Sequence, residues 1–212
     1  MEERGRKGRL ADDFKQIGST CGVYSLAYAL DKLGIECEKN PMDWAIKVAF
    51  DGNVGKGCNP IALTTLALKL TSGKFDVQFY ADIEGLIECV KSDHDLKSNL
   101  EYLDKLANEC LGTHYIKADY DYDKSLHEGE VCIGIFAVET LTEDDVKKEF
   151  LKQFKANPAS LHYMMIQKQG TKYFVFDSNV GPNKPIEIIN RKVSSTYTYS
   201  GLAIVLSKKE EK

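Results

Sequence analysis

The sequence lacks two features that would identify a membrane protein or a nucleic-acid-binding protein. It has no apolar run of the roughly 20 residues that a membrane-spanning helix needs. It also has no excess of basic residues, because 28 Lys and Arg are outnumbered by 32 Asp and Glu, for a formal net charge of -4. A nucleic-acid-binding domain usually carries a basic surface. We therefore expect no stable membrane insertion and no nucleic-acid partner.

The first residues also lack the apolar core and small-residue cleavage site of a secretory signal peptide. We therefore expect a cytoplasmic protein whose mature start lies close to residue 1. Export of an effector without a classical signal peptide would leave the same sequence, so this alternative stays open.

The chain has no Cys-x-x-Cys pair and no zinc-ligand spacing between its cysteines and histidines. Six cysteines occur in the 212 residues, at positions 21, 37, 58, 89, 110 and 132. In a reducing compartment such cysteines are free thiols rather than disulfides. The sequence therefore predicts no structural metal, no cofactor and no disulfide framework.

Length and composition predict a single domain over residues 11–207. With 212 residues and 43% hydrophobic composition, the chain can bury one sizeable core. A basic tail at 1–10 precedes the domain, and a charged tail at 208–212 follows it. We interpret both as solvated ends, with partner binding by the basic tail as a weaker alternative.

The N-terminal half is predicted to be largely helical. Apolar residues from Cys21 onward recur at helical spacing until Gly34, which is a typical helix stop. Two further helices are predicted at 42–50 and at 60–70, where Pro60 occupies the first turn. A strand at 75–80 and one or two helices within 83–108 complete this half.

The C-terminal half is predicted to be dominated by an antiparallel sheet. Five segments rich in β-branched, aromatic and apolar residues predict strands at 131–138, 162–167, 173–177, 186–189 and 198–206. One helix with an N-cap and an acidic first turn is predicted from Thr142 to about Phe154. Helices followed by strands indicate the α+β class.

A cysteine at the start of a helix is the strongest chemical signal in the chain. Cys21 lies where the first predicted helix begins, and the unpaired N–H groups there favour the nucleophilic thiolate. His162 opens a predicted strand far downstream, and Asp177 and Asn179 follow the next strand. Such a thiolate needs an imidazole for proton transfer and an acid or amide to orient it.

Strand geometry predicts how His162 and Asp177 meet. Side chains alternate along a strand, so His162 shares a face with Ile166, and Asp177 shares a face with Val175. The short turn at 169–172 joins the two predicted strands into a hairpin. If those two faces coincide, Asp177 reaches the histidine ring. Asn179 lies two positions further on, and it stays open as an alternative orienting residue.

In this order of residues the chain resembles the papain-like cysteine peptidases, and it is most similar to their small bacterial double-glycine, bacteriocin-processing branch. The resemblance rests on Gln16 ahead of Cys21 and Gly22, on the segment 161–166 around His162 and on the segment 173–179 around Asp177. The separation from Cys21 to His162 falls within the 130–150 residues typical of papain-like enzymes.

The resemblance implies a fold and a set of roles. The fold would be an α+β, papain-like domain in which an N-terminal helical subdomain packs on a C-terminal antiparallel sheet, with the active-site cleft between them. Cys21 would be the nucleophile, His162 the general base and acid, and Asp177 the orienting residue. Gln16 and the Cys21 backbone N–H would form the oxyanion hole.

The leading hypothesis for function is hydrolysis of peptide bonds in a peptide or protein substrate through a thioester acyl-enzyme. The same residues would also serve an acyltransferase, a transamidase or a deamidase. A catalytically silent binding module on a papain-like scaffold is the alternative outside enzymology.

Two other features of the sequence resemble functional sites. Cys58 also precedes a helix, in a glycine-rich loop, and is a less favoured rival nucleophile. Carboxylates at positions 119, 121, 123 and 130 match part of a calcium-binding loop. Lys124 occupies the position where such a loop needs glycine, so the sequence favours a solvated acidic loop.

Overall fold

The chain folds as a mixed α+β domain built on one open sheet of eight strands, as seen in a computed structural model. The structure describes residues 10–11, 14–36, 40–138, 146–156, 161–194 and 196–209. The prediction of the α+β class is therefore confirmed.

Seven α-helices, three 3-10 turns of three residues each and eight strands are found within the described residues. The helices are α1 (Cys21–Lys32), α2 (Met42–Val48), α3 (Pro60–Thr71), α4 (Ile83–Cys89), α5 (His94–Leu111), α6 (Tyr122–Ser125) and α7 (Val146–Ala156). The strands are β1 (Phe75–Tyr80), β2 (Tyr115–Ile116), β3 (Val131–Val138), β4 (His162–Gln169), β5 (Lys172–Phe176), β6 (Ile186–Glu187), β7 (Lys192–Val193) and β8 (Tyr197–Lys208).

The sheet joins the two halves of the chain. Its strand order is β2-β1-β8-β3-β4-β5-β6, and β7 pairs with β8 beside this path. The pair β1–β2 is parallel, and the other pairs are antiparallel. The predicted antiparallel sheet of the C-terminal half is therefore present, and it is extended by β1 from the helical half and by the short parallel strand β2. β1 from the helical half hydrogen-bonds along its whole length to β8, so this pairing fills one edge of each strand.

Helix α1 is buried over most of its length. Every residue from position 21 to 30 is buried, because the helix packs against β3, β4 and α3 at once. The helix ends where Gly34 takes a left-handed backbone conformation with φ of 74°, which glycine adopts without steric cost. This start and stop confirm the sequence prediction for α1.

Two apolar cores lie on opposite faces of the sheet. The larger core contains α1 and the inner faces of α3 and α5, packed against strand residues such as Tyr163 and Met165. The smaller core contains Met164 and Ile166 from the same strand, together with Phe136 and Tyr199. Alternation along β4 thus sends neighbouring side chains into different cores.

Most predicted elements are confirmed, with differences at their ends. The helix predicted at 42–50 stops at Val48, because Ala49 is extended and forms a bridge with Cys58. The region 83–108 contains two helices, α4 and α5. The N-cap predicted at Thr142 lies outside the described residues, as do residues 1–9 of the basic tail and 210–212 of the charged tail.

In the described part of the chain, none of the helices combines the length and the apolar composition needed to cross a bilayer.

Candidate active site

The register of β4 and β5 brings His162 and Asp177 together. Ile166 lies directly opposite Val175, so the faces that carry these two side chains coincide. Asp177 follows the last residue of β5, and its Oδ1 lies 2.7 Å from His162 Nε2. His162 is 6% exposed and Asp177 is 5% exposed. The predicted contact between these residues is therefore present, and it is shielded from solvent.

The Asp177 carboxylate is held in its charged form. Burial by itself would raise its pKa, but the hydrogen bond and charge of His162 and the backbone N–H of Asn179 outweigh burial and lower the pKa. The Asn179 N–H donates to Oδ1 over 2.8 Å. The Asn179 side-chain Nδ2 lies 3.4 Å from His162 Nε2, further away than the carboxylate oxygen. Asp177 is therefore the closer orienting group of the two alternatives.

Cys21 lies against the backbone on both sides of His162. Its sulfur accepts the Tyr163 backbone N–H over 3.5 Å and lies 4.0 Å from the Leu161 carbonyl oxygen. Cys21 is the first residue of α1 and is 6% exposed. A backbone N–H and the N-terminal end of a helix both favour negative charge on sulfur. The site thus brings the Cys21 thiol beside the His162 imidazole, although the two residues are far apart in the sequence.

His162 interacts with both partners at once. Burial by itself would lower its pKa, but hydrogen bonds and charge interactions with Asp177 and Cys21 outweigh burial and raise the pKa to about 9. Because Nε2 faces Asp177, Nδ1 is the ring nitrogen left to exchange a proton with the thiol. The arrangement therefore favours a protonated ring beside the sulfur at neutral pH.

Gln16 lies beside this group, held by the residue after Asp177. Its backbone N–H donates to the Ser178 carbonyl over 3.0 Å. Its side-chain Oε1 accepts the Ser178 hydroxyl, and its Nε2 donates to the Gly18 carbonyl over 2.9 Å. Gln16 is thus tied to the Asp177 segment, with its N–H₂ end directed away from Ser178. Sequence reasoning missed Ser178, because a serine in a turn carries no chemical signal of its own.

Cys58 lies beside the first turn of α1, and its thiol is buried. This burial raises the pKa of the thiol to about 12, although the backbone N–H groups of Gly22 and Val23 act in the opposite direction. A thiol with a raised pKa is a poor nucleophile at neutral pH. The structure therefore disfavours Cys58 as the nucleophile, and its loop serves to pack the start of α1.

The close approach of Cys58 explains the glycine after Cys21. A Cβ atom at position 22 would lie 2.7 Å from Cys58 Cβ and 2.8 Å from Cys58 Sγ. Real Cβ atoms do not approach other heavy atoms this closely, so only glycine fits at this position. Gly22 therefore lets the loop that carries Cys58 lie directly on the first turn of α1.

The acidic segment that resembles a calcium loop is engaged in ion pairs. Asp119 lies 3.2 Å from Lys147 Nζ, and Asp121 lies 2.8 Å from Lys124 Nζ. Residues 122–125 form the short helix α6 rather than an ion-binding turn. Among the residues that the structure describes, no group of three His, Cys, Asp or Glu side chains is arranged to hold a metal ion.

Five cysteines lie within the described residues, and all five carry free thiols: Cys21, Cys58, Cys89, Cys110 and Cys132. Cys37 lies outside the described residues. Cys89 is exposed on α4, whereas Cys21 is buried at the site.

Comparisons of the chain with protein-family models, with curated proteins and with solved structures found no match.

Proposed function

We propose that this chain is a papain-like cysteine peptidase, which hydrolyses peptide bonds through a thioester acyl-enzyme. The observation that carries the proposal is the 2.7 Å contact between His162 Nε2 and Asp177 Oδ1, next to a cysteine at a helix start. Nucleophilic acyl transfer requires a nucleophile that can hydrogen-bond to a base, and an acid that hydrogen-bonds to this base and orients it.

The first half of the reaction forms the acyl-enzyme. With the proton on His162 Nδ1, the Cys21 sulfur attacks the carbonyl carbon of the scissile peptide bond. The tetrahedral intermediate collapses when the imidazolium of His162 protonates the leaving amine and the C–N bond breaks. Asp177 keeps Nε2 occupied throughout, so that the proton moves only through Nδ1.

The second half releases the acid product. A water molecule gives a proton to His162 Nδ1 and attacks the thioester carbonyl carbon. The C–S bond then breaks, the carboxylic acid leaves, and the proton on His162 again faces the Cys21 sulfur. Both halves use the same imidazole, first as acid toward the amine and then as base toward water.

The developing oxyanion needs hydrogen-bond donors, and two are available at the start of α1. The first N–H groups of a helix have no partner within the helix, and the N–H of Cys21 is the first of α1. The Gln16 amide has two N–H hydrogens, and the Gly18 carbonyl accepts only one of them. We assign the second hydrogen to the oxyanion, in the role that such donors serve in acyl transfer.

The decisive experiment labels Cys21 with a thiol-directed peptide electrophile. Mass spectrometry locates the adduct in the unchanged protein and in Cys21→Ala, His162→Gln and Asp177→Asn variants. The exposed thiol of Cys89 provides the matched control, because a Cys89→Ala variant retains the complete site. We expect rapid labelling at Cys21, strong loss of labelling in His162→Gln, and no change in Cys89→Ala.

Product analysis with a peptide library then identifies the reaction. Cleaved peptides that gain one water molecule support hydrolysis. Products joined to an added amine would instead indicate an acyltransferase or transamidase, and a mass gain of one unit without cleavage would indicate a deamidase. Labelling at Cys21 that does not depend on His162, without any product, would overturn the proposal in favour of a binding module.

A further inference from the structure

Tyr197 packs its ring against the ring of His162. The ring centroids lie 5.1 Å apart, and the ring planes are inclined by 31°. Tyr197 begins β8 and pairs with Val138 near the end of β3, while His162 begins β4 and pairs with Phe136 on the other side of β3. The aromatic side chain thus reaches across the end of β3 to the candidate catalytic ring.

We propose that Tyr197 is a positioning residue, whose aromatic face holds the His162 ring in place and stabilises its protonated form. This role rests on the proposed function, because it concerns the imidazolium that protonates the leaving amine. An aromatic ring attracts a cation over its face, and centroid separations of 4.5 to 7 Å are favourable for ring pairs.

The groups around His162 occupy its two ring nitrogens, so the Tyr197 ring is free to contact its face. Asp177 from the end of β5 and Cys21 from α1 are the charged and titratable groups that face the imidazole, with Tyr197 facing it from β8. Tyr28 of α1 adds a further titratable group beside Asp177. Asp177 and Cys21 hold the ring through its two nitrogens, whereas Tyr197 contacts its face.

Tyr197 is itself close to the same charges. Burial raises the pKa of its phenol first, and the charges of Asp177 and Cys21 raise it further. The phenol therefore stays neutral at the pH at which His162 titrates, and its ring can favour the imidazolium without adding a charge. The Tyr197 side chain is partly exposed.

The test measures the pKa of His162 directly by NMR titration of the histidine rings. The chain has four histidines, and the His162 signals are those absent from a His162→Gln variant. Tyr197→Phe keeps the aromatic face, whereas Tyr197→Leu removes it but keeps an apolar side chain over the ring. Tyr102→Leu is the matched control, because Tyr102 is 66% exposed on α5.

We expect the pKa of His162 to be unchanged in Tyr197→Phe and Tyr102→Leu. In Tyr197→Leu it should fall by about half a unit to one unit, which corresponds to the usual strength of a cation–aromatic contact. If Tyr197→Leu does not fold by circular dichroism, Tyr197→Met makes the same comparison with an unbranched apolar side chain. An unchanged pKa in the folded apolar variant overturns the proposal, and so does an equal fall in Tyr197→Phe.

A second measurement separates this inference from the proposed function. In a peptidase, the alkaline limb of the pH profile of kcat/KM reports the acid that protonates the leaving group. We expect this limb to move to lower pH in Tyr197→Leu by the same shift as the NMR titration. A shifted titration in a protein without peptidase activity would leave the positioning role intact and reject the function. Peptidase activity together with an unshifted titration would reject the positioning role and leave the proposed function intact.

Discussion

Ser178 connects the two polar groups that the proposed reaction needs at different moments. Its side chain is fully buried, and its hydroxyl donates to Gln16 Oε1. Its carbonyl accepts the Gln16 backbone N–H, while the residue before it is the Asp177 that orients His162. One short segment after β5 therefore fixes both the acid and the amide of the site.

We predict that Ser178→Ala weakens the proposed reaction through Gln16. Without the hydroxyl, the amide can rotate and present its oxygen instead of its N–H₂ to the oxyanion. Loss of an oxyanion donor costs about 10²–10³ in kcat, and loss of its orientation should cost about tenfold. Steady-state kinetics should show the loss in kcat with little change in KM, because the donor acts in the transition state.

The control for Ser178 is the double variant with Gln16→Ala. If Ser178 acts through the amide, its removal has no further effect once the amide is absent. An equally large loss from Ser178→Ala in both backgrounds would contradict the assignment and indicate an independent role beside Asp177.

Sequence reasoning selected the reactive side chains but not the side chains that support them. Cys21, His162 and Asp177 stand out because thiol, imidazole and carboxylate have chemistry of their own and occur in an informative order. Ser178 and Tyr197 carry no such signal, since serine and tyrosine are common in strands and turns. Their contacts with Gln16 and His162 arise only from strand register and chain reversal.

Helix α1 supplies hydrogen-bond partners to a part of β4 that no strand pairs with on that side. β5 pairs only with the part of β4 from Met165 onward, which leaves the edge before it open. The N–H of Tyr163 on that edge donates to the Cys21 sulfur, and its carbonyl accepts the Ser25 hydroxyl over 2.9 Å. Cys21 and Ser25 lie one helical turn apart on the same face of α1.

These two hydrogen bonds fix the position of α1 along β4. The buried N–H and carbonyl of an open strand edge must be hydrogen-bonded, because leaving either without a partner costs about 1–3 kcal/mol. Ser25 and Cys21 meet that need together only when α1 lies in one position along β4. The same position sets the Cys21 sulfur beside His162.

We predict that Ser25→Ala lowers the free energy of unfolding by about 1–3 kcal/mol, because it leaves the Tyr163 carbonyl without its partner. Thr64→Val is the matched control. The Thr64 hydroxyl is also fully buried, but it donates to the Pro60 carbonyl within its own helix. That carbonyl keeps its backbone partner Thr64 N–H, so the control should cost clearly less. Urea unfolding monitored by circular dichroism measures both, and equal losses would contradict the special role of Ser25.

The elements that the sequence predicted well are those with a long periodic pattern. Helices α1 and α3 and strands β1 and β3 have the expected character and nearly the expected ends. The strands β2 and β7 were not predicted, because two residues are too few to show alternation. The end of α2 was missed because it depends on the bridge between Ala49 and Cys58, which closes a loop whose conformation the helical pattern does not reveal.

Strand β8 joins the strand of the helical half to the strands of the C-terminal half. β8 lies between β1 and β3, so the final element completes a sheet that starts in the helical half. Sequence patterns predicted all the strands except β2 and β7 but, apart from the β4–β5 hairpin, not which strands pair, since pairing order depends on how the helices cover the sheet. The candidate site lies where α1, β4 and the end of β5 meet within this single unit.

The coupled charges of the site also link the stability of the whole molecule to pH. In the folded state the pKa of His162 is raised from the usual 6.5 to about 9. A raised pKa contributes stability that is fully present below about pH 6.5 and is lost as the pH rises through about 9. The lowered pKa of Asp177 acts on the acid side, where stability is lost as the pH falls through the folded pKa.

We therefore predict that the free energy of unfolding declines between about pH 6.5 and pH 9 because of His162. A shift of this size corresponds to about 3 kcal/mol as an upper value, since each unit is worth about 1.4 kcal/mol. Urea unfolding at a series of pH values measures the decline. His162→Gln carries no titrating ring, so its curve should lack this part of the decline.

The comparison with His162→Gln is necessary because other groups titrate in the same direction. Burial raises the pKa of the Cys58 thiol, so unfolding releases its proton more readily as the pH rises. That contribution is present in both proteins and cancels in the difference between their curves. Asp177→Asn should resemble His162→Gln above pH 6.5, because it removes the carboxylate that raises the pKa of the ring. If the difference between the unchanged protein and His162→Gln were constant from pH 6.5 to pH 9, His162 would titrate alike in the folded and unfolded chains, and the buried ion pair would not form.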